Sequence, residues 1–181
     1  MAYLFQNTRE QIGRWILKKR IKNKYRNSQF LNYSNANNIG IIFNATHQNT
    51  YEVARKYIRA LNEMNISVKA LGFVDSKEVL EFYQKSIYFE FFSRKNLNWY
   101  HKPNNPNTKA FIETKFDILI DLSIVEDFPI QYIVALSEAR FKVGSVKGTE
   151  NYYDFMIRLD EKQDLEYFVE QIDHYLKMIK N

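Results

Sequence analysis

At 181 residues, 45% of them apolar and none of them cysteine, the chain has the length of one domain with a genuine core; disulfides, thiolate metal sites and cysteine nucleophiles are excluded. No run approaches the roughly 20 apolar residues that a membrane-spanning helix needs, and the opening MAYLFQNTREQIGRW lacks the basic-then-apolar order of a secretory leader, so no transmembrane segment and a cytoplasmic location are expected. The formal charge of +5 is unevenly placed: eight of the 26 Lys and Arg residues precede Phe30 against Glu10 alone, a net of +7, which leaves the remainder at −2.

In chain order, residues 1–30 read as a basic helical arm, capped near Asn7 or Thr8. Residues 31–38, the end of the polar stretch SQFLNYSNANN, read as a linker, and 39–181 as an α/β domain. IGIIFN at 39–44 is a short apolar run, as a parallel strand buried on both faces should be. After a loop at 45–49, Val53, Ala54, Tyr57, Ile58, Leu61 and Met64 share one helical face. SVKALGFV at 67–74 makes the next strand, 77–84 a short helix, and IYFEFF at 87–92 a third strand. Residues 93–109, broken by Pro103, Pro106 and several Asn, read as loop. FDILIDL at 116–122 is the central strand, since Ile118, Leu119 and Ile120 would be costly to expose. A helix follows from Pro129, a residue suited to a first helical turn. Strands at 140–145 and 155–159 complete the set. The last helix places Leu165, Phe168, Val169, Ile172, Tyr175, Leu176 and Ile179 on one stripe. This alternation predicts a Rossmann-like α/β fold: an open, mostly parallel sheet flanked by helices and preceded by a basic N-terminal helix.

The segments VKALGFVD (68–75), KNLNW (95–99), FDILIDLS (116–123), YIVALSEARFKVG (132–144) and QIDHYLKM (171–178) resemble a bacterial family of uncharacterised proteins defined only as a domain of unknown function. That resemblance carries no established activity and supplies no catalytic residues. FDILIDL followed by a helix and ALSEARFKVG is also distantly similar to the N-terminal half of heptosyltransferase-like GT-B glycosyltransferases. Those enzymes bind their sugar nucleotide through a C-terminal Rossmann-like domain that this chain does not contain, so nucleotide-sugar transfer by the chain alone is not expected.

The five glycines, Gly13, Gly40, Gly72, Gly144 and Gly148, form neither GxGxxG nor GxxxxGK[ST], so no nucleotide or other cofactor is expected; Gly40 and Gly72 fit close packing inside strands. Ligands of open parallel sheets sit beyond the carboxyl ends of the strands. There the sequence offers Asn44, Thr46, His47, Asp75, Asp121 and Ser123 as a candidate crevice, in which an Asp–His pair could exchange protons. The same residues also serve as turn and cap residues, with Asn49 or Thr50 starting the helix and Asp121 and Ser123 tying the next loop. His47, His101 and His174 have no partner at metal-binding spacing, and no GxSxG elbow occurs, so neither a metal nor a catalytic residue is assigned.

Two features point outward. In the loop NLNWYHKP (96–103), Trp99 and Tyr100 lie among cations, the composition with which single-stranded nucleic acid is gripped, or with which a long loop folds back on its own domain. In the arm, Arg9, Arg14, Lys18, Lys19, Arg20, Lys22, Lys24 and Arg26 surround the helix on most sides, with Phe5, Ile12, Trp15 and Ile16 on one side and Leu17, Ile21 and Tyr25 on another. This suits phosphates approaching from several directions better than a bilayer plane; a helix packing Trp15 and Ile16 on the body is the alternative. The sequence thus favours a non-catalytic module binding RNA or a ribonucleoprotein such as the ribosome. A small or degenerate glycosyltransferase-like enzyme, and an adaptor at an anionic membrane surface or in an envelope protein complex, are the other readings.

Overall fold

The computed structural model describes residues 2–22, 24–79, 83, 88–148 and 150–179, with side chains from residue 8 onward. Helix α1 (Ala2–Lys22) leads through a 3-10 turn (Tyr33–Asn35) to β1 (Asn38–Asn44), α2 (Gln48–Glu63), β2 (Ser67–Val74) and β3 (Phe89–Ser93). After a second 3-10 turn (Arg94–Asn96) come α3 (Pro106–Glu113), β4 (Ile118–Asp121), α4 (Phe128–Leu136), β5 (Phe141–Ser145), β6 (Phe155–Ile157) and α5 (Leu165–Met178).

The six strands form one sheet in the order β3-β2-β1-β4-β5-β6, every described pairing parallel. This is the doubly wound Rossmann-like order. The apolar runs are its interior: β4 and the middle of β1 are fully buried, as parallel strands covered on both faces must be. Alternation along each strand sorts the core into two layers. Ile39, Ile41, Phe43, Ile118, Ile120, Phe141 and Val143 meet the buried stripes of α2 and α5, while Ile42, Leu71, Phe73 and Leu119 meet α3 and α4. Gly40 lets the Phe116 ring lie against β1, since a Cβ there would fall 2.7 Å from the ring.

Several elements differ from the sequence expectation. α1 begins at Ala2, runs through Asn7 and Thr8, and ends at Lys22, so residues 24–30 are not helical. Residues 93–109 are not loop throughout: Asn105 caps α3 by accepting from the Thr108 amide, and Pro106 occupies the first turn, where its missing N–H costs nothing. α2 starts after His47 instead of at Asn49 or Thr50. Of the helix expected at 77–84, residues 77–79 are not helical, residue 83 is, and 80–82 and 84 lie outside the described residues. No helix among those described is long and apolar enough to cross a membrane.

α1 packs on the outside of α4. The face turned inward carries Gly13, Leu17 and Ile21; Trp15 is 57% exposed, with the Lys19 ammonium 3.6 Å above its ring. Leu17 is fully buried among Phe128, Tyr132 and Leu136. A Cβ at Gly13 would lie 2.5 Å from the Tyr100 carbonyl oxygen and 2.7 Å from the Phe128 ring, so glycine sets the approach of the helix. Burial of a leucine at this level predicts that Leu17→Ala costs about 2–5 kcal/mol. Trp15→Ala should change stability by less than about 1 kcal/mol. Urea unfolding of the two variants checks this; equal losses would mean that Leu17 does not anchor the helix.

Candidate functional site

In a sheet of this order the chain leaves β1 toward one face and β4 toward the other, which opens a crevice between their carboxyl ends. Here the β1–α2 loop supplies Asn44, Thr46 and His47, the first turn of α2 supplies Thr50, and the β4–α4 loop supplies Ser123 to Asp127. Together with Asp75 after β2 and Leu165 at the start of α5 they line a cavity of about 320 Å³. A second cavity of about 610 Å³ shares Asn44, Asp75, Glu126 and Asp127 and continues past Arg94, His101 and the α1 residues Glu10 and Arg14.

Short-range hydrogen bonds hold the rim. Asn44 Nδ2 donates to Asp127 Oδ2 at 2.7 Å, while Asn44 Oδ1 accepts from the Thr46 amide. Thr46 Oγ1 accepts from the Asp75 amide, and Arg94 grips the Asp75 carboxylate from outside. Burial pushes the Asp127 carboxyl up to about 6, with the nearby Asp75 and Asp121 carboxylates adding to the rise against the Asn44 hydrogen bond. Ser123 is 4% exposed and its hydroxyl has no hydrogen-bond partner among the described residues, although its carbonyl accepts from Ser145 Oγ and Lys147 Nζ. A buried hydroxyl without a partner costs free energy unless something fills the gap.

Asp121 stands apart from the other five candidates. Fully buried, it accepts from Lys147 Nζ and the Tyr153 hydroxyl, both at 2.6 Å, and ties the loop through the Ser123 amide. Burial, and then the Asp121 charge beside it, raises the Tyr153 phenol far above its ordinary range. This triad fixes the β4–α4 loop and does not line the crevice, whose lining carboxylates are Asp75, Glu126 and Asp127. Asp127 and Glu126 are the functional candidates that sequence reasoning missed; the only signal was their place just before Pro129 at the start of a helix. Among the described residues no three His, Asp or Glu side chains are grouped to hold a metal.

Most of the arm cations are turned to the body. Arg14 reaches Glu126 at 2.8 Å and Gln131, besides its helix neighbour Glu10; Lys18 reaches Glu150 at 2.7 Å; and Lys24 pairs with Glu138 and the Leu136 carbonyl. Arg20 donates to the Tyr132 hydroxyl, and Arg26 grips Asp154 with both terminal nitrogens. Among the described residues Arg9 and Lys22 have no such partner, and together with Lys19 they remain solvent-facing. In the 96–103 loop, Trp99 is 61% exposed and edge-on to the half-buried Tyr100, so the two rings form one unit away from the strand-end crevice.

The raised carboxyl of Asp127 sets a pH dependence. Its folded-state value exceeds the ordinary 3.8, so the folded protein holds this proton more tightly, and the associated stability is lost as pH rises from about 4 through about 6. Relative to Asp127→Asn, the native protein should lose on the order of 2–3 kcal/mol between pH 4 and pH 7. Denaturant titrations at the two pH values check it; parallel behaviour of the two proteins would refute it.

Neither the curated proteins nor the solved structures contain a match to the chain. No homologue supports the glycosyltransferase likeness. A family of unknown function, DUF6913, matches residues 9–179. With almost its whole length matched, the chain belongs to this family.

Proposed function

We propose that the protein is a binding module for a small polar molecule held in the crevice between β1 and β4. The observation that carries this reading is the cavity of about 320 Å³ lined by Asn44, Thr46, His47, Asp75 and Asp127, at the position where doubly wound sheets take their ligands. Binding is favoured over chemistry because, among the described residues, the Ser123 hydroxyl has no base in hydrogen-bond contact, and an unassisted serine is a weak nucleophile. A cytoplasmic location belongs with this reading. The test is equilibrium dialysis of the protein against a metabolite extract, with bound compounds identified by mass spectrometry. The native protein should retain a compound that Thr50→Phe, which fills the crevice mouth, loses while keeping its melting temperature. Retention of no compound, or of the same compounds by both proteins, would reject the proposal.

A second reading rests on α1. Trp15, Lys19 and Lys22 form one exposed stripe, with Arg9 also open to solvent, and this is the part of the arm left for RNA or a ribonucleoprotein. At about 0.7 ion per contact, three cations give a log–log salt slope of about −2 for a single strand. Fluorescence anisotropy with labelled oligouridylate should show that slope, and replacing Arg9, Lys19 and Lys22 with Gln should abolish binding without lowering the melting temperature. Binding confined to anionic vesicles and lost with Trp15→Ala would identify a membrane surface instead.

A further inference from the structure

α1 and α3 both pack on α4, and all three helices, with the turn that leads into α3, line a cavity of about 800 Å³. It shares no residue with the strand-end crevice. Pro103, Ile112, Tyr132 and Leu136 give it an apolar lining, and Ile112 is only half-buried. Left to water, such a lining costs free energy in proportion to its exposed area.

Four cations line the same cavity: Arg20 and Lys24 from α1 and the segment after it, Lys102 and Lys109 from the turn and from α3. Two carboxylates accompany them, and both are engaged: Glu113 lies 3.8 Å from Lys109, and Glu138 lies 3.4 Å from Lys24. Arg20 and Lys102 are left over. Arg20 Nη1 donates to the Tyr132 hydroxyl at 2.9 Å, which fixes the guanidinium at the wall but brings no counter-charge. Lys102 is half-buried, and among the described residues its ammonium has neither a hydrogen bond nor an ion pair. Four cations against two carboxylates leave an excess of two positive charges beside an apolar surface. An anion there would be attracted more strongly than in open water, because the apolar groups lower the local dielectric.

We propose that this groove binds a free amphiphilic carboxylate, its head held by Arg20 and Lys102 and its chain laid on Pro103, Ile112 and Leu136. The charge complements the two unpaired cations, and the chain covers what a small inorganic anion would leave wet. The volume falls within the range of cavities that enclose one ligand molecule, which favours a single molecule over the plane of a bilayer. This site is independent of the crevice and of the exposed stripe of α1.

The experiment is an NMR titration of the full chain with sodium octanoate, sodium acetate and octylammonium chloride. Octanoate should move the amides of Lys102, Thr108, Ile112 and Leu136 and the Arg20 Nε–H signal. It should bind at least about tenfold more tightly than acetate, the gain expected from burying roughly two methylenes. Octylammonium, with the same chain and the opposite charge, should move none of these signals. Lys102→Glu should weaken octanoate about tenfold or more, as loss of a contact to a charged group does, without lowering the melting temperature. Lys19→Gln, outside the groove, should leave octanoate binding unchanged. Equal binding of octanoate and octylammonium, or of octanoate and acetate, would overturn the proposal, as would octanoate moving none of these signals. Co-sedimentation with phosphatidylglycerol vesicles, lost with Lys102→Glu and unaccompanied by octanoate binding, would assign the groove to a membrane surface and overturn it as well.

Discussion

The register of β1 governs the molecule. It is hydrogen-bonded in parallel to β2 along its whole length and to β4 from Ile39 to Ile42, so its two neighbours come from different halves of the chain. Parallel neighbours require crossovers, and right-handed crossovers that start on opposite sides of one strand must cover opposite faces of the sheet. That places α2 on one face and α4 on the other, and the two loops that lead into them part above the junction of β1 and β4. The crevice is the geometric remainder of this divergence. Its residues need no signature of their own to be brought together, because strand ends arriving at one edge is a property of the topology.

The charge imbalance has an internal explanation. Five of the eight arm cations reach acceptors on the body, and Glu126, Glu138, Glu150 and Asp154 are the carboxylates they meet. Exposed pairs of this kind contribute roughly 0–1 kcal/mol each. The Leu17 contact is the larger single term, and the ion pairs set the angle and register at which α1 lies on α4. Arg26 is the exception among them: its ion pair with Asp154 is largely shielded, and it also donates to the carbonyls of Ala139 and Arg140, which staples the segment after α1 beside the start of β5.

The strands were readable because burial on both faces demands continuous apolar runs, and FDILIDL and IGIIFN have few alternatives. The helix stripes of α2 and α5 were readable for the related reason that one face alone is covered; Met64 and Tyr175, at the margins of those stripes, are each 39% exposed. α3 was hidden because Asn105 and Pro106 punctuate a loop and begin a helix equally well, and only the Thr108 amide decides between them. The orientation of α1 was hidden too. With apolar residues on two sides, the choice between Trp15 and Leu17 is made by what α4 presents, and Gly13 is the sole local hint. In the site, residue types predicted the strand-end group, but the withdrawal of Asp121 into a pair with Lys147 depends on a partner 26 residues away that no spacing rule connects to it.

The staple between Arg26 and Asp154 spans 128 residues of sequence. A ribosome adding about 5–20 residues per second needs roughly 6–25 s to cover that distance. For most of that interval, until α4 is made, the nascent chain carries an undocked α1, its Leu17 uncovered and its cations without their carboxylates, since Glu126, Glu138, Glu150 and Asp154 are all translated late. The first helix to be made is among the last to find its place. The chain therefore presents two different surfaces in its lifetime: a basic segment with Leu17 uncovered while it is being synthesised, and a largely neutralised one once it is complete.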